Sequence, residues 1–203
     1  KFEFDPAVPY FSLMVPTTDT CRFSNIMTSL IKVDKPCFLT GVTGTGKTVA
    51  VQTLLNSLQG MPEEGEGGMG LLPVFMNFSA QTQSMVVQTS IESKLEKKRK
   101  NLLGAPSGRK VVIFVDDINM PLVETYGAQP PVELLRQFLD FKGFYDRDKL
   151  FWKDIVDVMM FVGAAPPGGG RAVITQRFTR HFNVMGMPEA SEQSLTLIFS
   201  SSL

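Results

Sequence analysis

Gly41-Val42-Thr43-Gly44-Thr45-Gly46-Lys47-Thr48 fills every fixed position of the pattern G-x-x-x-x-G-K-[ST]. In that pattern the glycines let the backbone curl round phosphates with successive amide N–H groups turned inward. The lysine reaches the β and γ phosphates, and the threonine hydroxyl ligates Mg²⁺. The flanks agree. Pro36-Cys37-Phe38-Leu39-Thr40 reads as a buried strand entering the loop, and Val49 to Leu58 as the helix leaving it. The stretch therefore predicts a site for ATP or ADP with Mg²⁺, built from Gly41, Val42, Thr43, Gly44, Thr45, Gly46, Lys47, Thr48 and Val49.

Outward from this loop, strands and helices alternate. Leu71 to Phe78 reads as a strand, Gln81 to Leu103 as a long helix and Lys110 to Val115 as a strand of continuous apolar character. Pro130 to Phe141 is a helix opened by proline, Asp157 to Gly163 a strand, Ala172 to Arg180 a short helix and Phe182 to Gly186 a last strand. Such alternation means a parallel sheet with helices on both faces. Phe141 to Trp152, an aromatic and charged mixture containing Gly143, reads as a hairpin inserted before the fourth strand. Pro62 to Gly70 is a Gly/Glu-rich exposed loop. The basic run Lys94 to Lys100, with Glu96 inside it, reads as the solvated face of the long helix.

Val111-Val112-Ile113-Phe114-Val115 runs into Asp116-Asp117. An apolar strand tipped by acids puts carboxylates where ligands of open parallel sheets bind. Asp116 is then placed to hold the magnesium with Thr48, directly or through water, and Asp117 to orient or deprotonate an attacking water. About seventy residues separate Lys47 from Asp116, enough for a helix, a strand and a second helix. The acidic strand is therefore not the next one in sequence after the loop strand, which favours the ATPase branch carrying an extra strand between the two.

The length suits one domain with a sizeable core. Lys plus Arg is 20 and Asp plus Glu is 20, so the basic excess of a nucleic-acid or anionic-membrane partner is missing. Cys21 and Cys37 are too few for a disulfide framework and lack zinc spacing, which points to a reduced, intracellular setting. No uninterrupted apolar segment is long enough to span a bilayer, and the first residues lack signal-peptide form. The run Ala190 to Ser200 reads as a helix cut short, and the chain as part of something longer.

Further blocks narrow the reading. Val15-Pro16-Thr17-Thr18-Asp19-Thr20-Cys21-Arg22, Asn77-Phe78-Ser79-Ala80-Gln81-Thr82, Phe114 to Pro121, Tyr126 to Gln137, Pro166-Pro167-Gly168-Gly169-Gly170-Arg171 and Arg177 to Val184 cover nearly the whole chain together with the phosphate loop. With these the chain resembles the AAA+ ATPases, and among them the dynein heavy chain, most closely the third ring module of axonemal dyneins. The resemblance implies an AAA+ large α/β subdomain over 1–188 with strand order 5-1-4-3-2. It also implies an N-terminal linker over 1–30 and the start of a mostly absent helical lid over 189–203. Val15 and Pro16 match the segment lying by the adenine. Arg180 best matches, and Arg177 next, the arginine that reaches the neighbouring module's nucleotide in trans. His181 follows a helix end, where a cation suits the dipole.

The implied partners are neighbouring modules of the same heavy chain, dynein light and intermediate chains, and the microtubule only through other parts of the motor. The implied location is the cytoplasmic cytoskeleton, in the axoneme of a cilium or flagellum. Two departures matter: many active relatives carry Glu where Asp117 stands, and a polar residue at the tip of the fourth strand, here Phe161-Val162-Gly163-Ala164-Ala165-Pro166. A misplacement of about 1 Å can cost about a hundredfold in rate, so a slow, regulatory ATPase module is expected rather than a main engine. A structural module with permanently bound nucleotide and a free-standing P-loop phosphotransferase are the other two readings.

Overall fold

A strand apolar on both of its sides must be covered on both, and Lys110–Asp116 shows how this chain does it. Val111, Ile113 and Val115 enter one buried cluster, while Val112 and Phe114 enter another on the opposite face. The computed structural model describes residues 15–62 and 68–202. Its elements begin with α1 (Thr18–Lys32), β1 (Cys37–Thr40), α2 (Lys47–Ser57), β2 (Leu71–Asn77) and α3 (Ser84–Glu92). Then come β3 (Glu96–Arg99), β4 (Leu102–Gly104), β5 (Lys110–Asp116), α4 (Pro130–Phe141), β6 (Gly143–Tyr145) and β7 (Trp152–Val156). The last are β8 (Val158–Ala164), α5 (Gln176–Thr179), β9 (Asn183–Gly186) and α6 (Glu192–Ser202).

Five strands form the main sheet in the order β2-β5-β8-β1-β9, and every pairing in it is parallel. Numbered along the main sheet alone, this is the expected 5-1-4-3-2 order. Helices α1 and α2 cover one face through Met27, Ile31, Val51, Leu54 and Leu55. The other face is covered by α3, α4 and α5 through Val87, Ile91, Leu135, Phe138 and Phe178.

A second sheet, β3-β4-β7-β6, corrects the expected long helix over 81–103. Helix α3 ends at Glu92, and the basic run expected on its solvated face becomes β3, an exposed edge strand. Antiparallel pairing with β4, itself paired parallel to β7, overrides the helical spacing of the sequence. The expected hairpin after α4 is β6–β7, and Gly143 is obligatory there because a Cβ would lie 2.3 Å from the Lys153 carbonyl oxygen. Gln88 Nε2 donates to the Tyr145 carbonyl at 2.8 Å and Lys153 Nζ to Glu92 Oε2 at 2.6 Å, tying this hairpin to α3.

Of the expected linker, residues 1–14 lie outside the described residues, and most of the remainder is the helix α1. The helix forms because Thr17 and Thr20 cap it reciprocally, with Thr20 N–H donating to Thr17 Oγ1 and Thr17 N–H to Thr20 Oγ1. Met27 and Ile31, one turn apart, anchor it in the core. The short helix expected over 172–180 contracts to α5, and part of the Pro62 to Gly70 loop lies outside the described residues. No described helix is long and apolar enough to cross a membrane.

Candidate nucleotide site

Because β1, β8 and β5 are adjacent and parallel, their C-terminal ends and the segments that follow lie at one edge of the sheet. The loop after β1 is shaped by three glycines. Gly41 passes so close to the segment after β9 that a Cβ would sit 2.5 Å from the Met187 carbonyl oxygen. Gly44 and Gly46 adopt φ of +89° and +81°, with nothing within 4 Å of where a Cβ would be, leaving an open cradle. Gly46 is also the N-cap of α2, and neither a capping side chain nor an acid occupies that first turn. The helix start is left electropositive and suited to an anion.

Lys47, the first residue of α2, is 8% exposed, and its Nζ donates to the carbonyl oxygens of Gly41 and Val42, each at 2.8 Å. Burial lowers its pKa, Asp116 and Asp117 draw it upward, and the nearby charge of Arg171 lowers it. The Thr48 hydroxyl donates to Asp116 Oδ2, joining the phosphate loop to the acidic strand. Asp116 Oδ1 accepts the Asp117 N–H at 3.0 Å, and Asp117 takes a left-handed φ of 52°, tolerated best by Asn and Asp among side-chain-bearing residues. Gly163 on β8 makes room for this carboxylate, since a Cβ there would lie 2.8 Å from Asp116 Oδ1.

The residues fit a nucleotide with magnesium. No group of three or more His, Cys, Asp or Glu gathers as a metal cage among the described residues. Mg²⁺ does not need one, because it commonly takes one or two protein ligands and completes its shell with phosphate and water. Thr48 and Asp116 would hold it. Val15 is buried before α1, while Pro16 lines a shallow cleft with Thr20, Cys21, Ser24 and Asn25. Val42 and Thr43 are exposed on the loop, and Val49 is half-buried on α2.

The arginines lie elsewhere. Arg180 Nη2 donates to Asp140 Oδ1 at 2.9 Å and Arg177 Nη2 to Glu133 Oε1 at 3.1 Å, so both are presented from the α4–α5 face. Their side chains are 61% and 68% exposed. His181 Nε2 sits 3.1 Å from Asp140 Oδ1 in the same cluster, where burial lowers the imidazole pKa and Asp140 raises it. The structure thus gathers Lys47, Thr48, Asp116 and Asp117, and gives Arg177 and Arg180 no described contact with them.

Three residues to which the sequence reading gave no role border the gathered group: Gly163, Asn119 and Arg171. The signal available was a glycine triplet followed by one cation after an apolar strand.

A family model described as P-loop containing dynein motor region matches residues 2–190. The chain belongs to that family. Human dynein axonemal heavy chain 6 is 52% identical over 202 residues, which is all of this chain and 5% of that protein. Dynein axonemal heavy chain 1 of Rattus norvegicus is 44% identical over 200 residues, covering 98% of this chain and 4% of the relative. Dynein axonemal heavy chain 12 of Rattus norvegicus is 44% identical over 190 residues, covering 93% and 6%. This dynein-motor chain therefore corresponds to a small fraction of the length of those relatives.

Proposed function

We propose that this chain is the third AAA+ ring module of an axonemal dynein heavy chain, holding ATP or ADP with Mg²⁺ and hydrolysing slowly in a regulatory role. The observation that carries the reading is the bond between Thr48 and Asp116, which closes the phosphate loop onto the acidic strand beside Lys47. Bound Mg²⁺ would neutralise charge developing on the phosphates. Lys47 exchanges the Gly41 and Val42 carbonyls for phosphate oxygens, the α2 N-terminus supplies backbone donors, and Thr48 and Asp116 fix the metal. Val15 and Pro16 border the base.

Asp117 acts on the attacking water. Its side chain is one methylene shorter than glutamate, and the β8 tip beside it, Gly163-Ala164-Ala165, offers the water no polar side chain. Both features favour retention of nucleotide over rapid turnover. Arg180, and secondarily Arg177, face the nucleotide of the neighbouring module. On this reading the chain works in the axoneme of a cilium or flagellum. Light and intermediate chains join the same assembly, and the microtubule is reached only through other parts of the motor.

Calorimetric titration of Mg-ADP and Mg-ATP into the chain and its Lys47→Ala variant tests the reading. The expected result is loss of most of the affinity in the variant, and equal affinities would overturn it. The same apolar β8 tip also supports a purely structural module with permanently held nucleotide. Nucleotide that survives exhaustive dialysis unhydrolysed would decide for that alternative.

A further inference from the structure

Among the described residues, the buried side-chain polar atoms without a hydrogen-bond partner are Asn119 Oδ1 and Arg171 Nε. Asn119 lies just after β5, and Arg171 in the segment that follows β8. Asn119 Nδ2 donates to the Ala165 carbonyl at 2.8 Å, and the Asn119 carbonyl accepts the Ala172 N–H at 2.9 Å, so one residue pins both ends of the loop. Between the pins, Gly168, Gly169 and Gly170 all take positive φ, and Gly168 and Arg171 exchange backbone hydrogen bonds at 3.2 and 3.1 Å. Three successive left-handed residues make a turn that only glycine adopts without strain. The turn delivers one long cation.

β8, which leads into this loop, lies between β5 and β1 in the sheet, so that cation arises at the same edge as Lys47, Asp116 and Asp117. Four charges therefore surround one region at the tips of β1, β8 and β5. Lys47 with the two aspartates alone would leave an excess of negative charge facing an anionic ligand, and Arg171 removes it. A buried guanidinium N–H without an acceptor is costly unless a ligand supplies one. In a nucleotide seated on the phosphate loop, the group nearest the Thr48–Asp116 pair would be the terminal phosphate.

We propose that Arg171 contacts the γ-phosphate in cis, a phosphate-reading residue on the loop after β8 that stands in for the polar side chain missing from the β8 tip. The proposal rests on the nucleotide-site reading given above. Its consequence is discrimination: Arg171 favours a triphosphate over a diphosphate, whereas Lys47 supports both.

The test is calorimetric titration of Mg-ADP and of the Mg complex of a non-hydrolysable ATP analogue with an imido β–γ bridge. The proteins titrated are the chain, Arg171→Ala, Arg171→Gln, Arg171→Lys and Lys47→Ala. Loss of a charge-assisted bond to phosphate is expected to weaken the triphosphate analogue about tenfold or more in Arg171→Ala and Arg171→Gln, and ADP less than about twofold. Arg171→Lys should recover part of the preference. If Arg171→Ala does not fold, Arg171→Gln, which keeps most of the side-chain length, carries the same expectation. Equal weakening of both ligands, or none, in a folded Arg171 variant overturns the proposal, even where Lys47→Ala abolishes binding. If instead Lys47→Ala leaves both affinities unchanged, it is the phosphate-loop reading that fails.

Discussion

The hydroxyl of Thr48, one residue into α2, donates to the carboxylate of Asp116 at the far tip of β5, across 68 positions of sequence. Two groups that both favour Mg²⁺ are thus held together by the fold. Thr48→Ser keeps the hydroxyl and should keep the Mg²⁺-dependent part of nucleotide affinity. Thr48→Ala and Asp116→Ala should lose it, by about tenfold or more on the scale of charge-assisted contacts. Titration with and without a chelator reads the difference.

Gly163→Ala places a Cβ 2.8 Å from Asp116 Oδ1. The carboxylate must move or the strands must part, and overpacking of this kind costs about 1–3 kcal/mol. Urea unfolding should show that loss, together with weaker Mg-nucleotide binding. Gly186→Ala on β9 is the control, since nothing lies within 4 Å of its added methyl, and it should fall within about 0.5 kcal/mol of the parent.

Asp117 combines a left-handed backbone with an acid beside the Thr48–Asp116 pair. Asp117→Asn should fold normally and bind nucleotide while reducing hydrolysis. Asp117→Val should lose about 1–2 kcal/mol, the cost of the left-handed region for a side chain with a branched Cβ. Asp117→Glu restores the reach of glutamate, and single-turnover hydrolysis should rise about tenfold. An unchanged rate would show that carboxylate reach does not limit hydrolysis and would point to the apolar tip of β8.

The thiols should separate cleanly. Burial pushes Cys37 up to about 12, whereas Cys21 is exposed. Alkylation of the folded chain should modify Cys21 alone and reach Cys37 only after denaturation. Because the folded pKa is raised, the unfolded chain loses its Cys37 proton first. The Cys37 contribution should make the fold less stable as pH rises from about 9 to about 12.

Arg180→Ala and Arg177→Ala remove exposed ion pairs to Asp140 and Glu133. Each should change stability by less than about 1 kcal/mol and leave nucleotide affinity of this chain unaltered. A loss of affinity in either variant would make that arginine a local ligand.

Much of this was legible before the fold was seen, because the phosphate loop and the β5 run each carry a local signal with a physical cause. The glycines need special backbone angles, and a strand buried on both faces must be apolar throughout. What escaped the sequence depends on distant partners. Glu96-Lys97-Lys98-Arg99 has no alternation of its own and is a strand only because β4 pairs with it. Arg171 reads as one more surface cation until Asn119 is seen to pin its loop at both ends. Thr17 and Thr20 cap α1 without the Glu or Gln usual at the third position, so the helix start was hidden.

The strand order also fixes when the site can exist. Among the described residues β1 pairs with β8 and β9 alone, Cys37 standing opposite Phe161 and Asn183. A ribosome that has released the phosphate loop must therefore add more than a hundred residues before the strand beneath it gains a neighbour. β2 and β5 can join earlier, in register from Leu71 opposite Lys110. The most recognisable segment of the chain is thus among the last to be secured, and its closure is a slow, non-local event. Until β8 slides between β5 and β1, Cys37-Phe38-Leu39 is an unpaired apolar edge, the kind of surface that draws chaperones or aggregates.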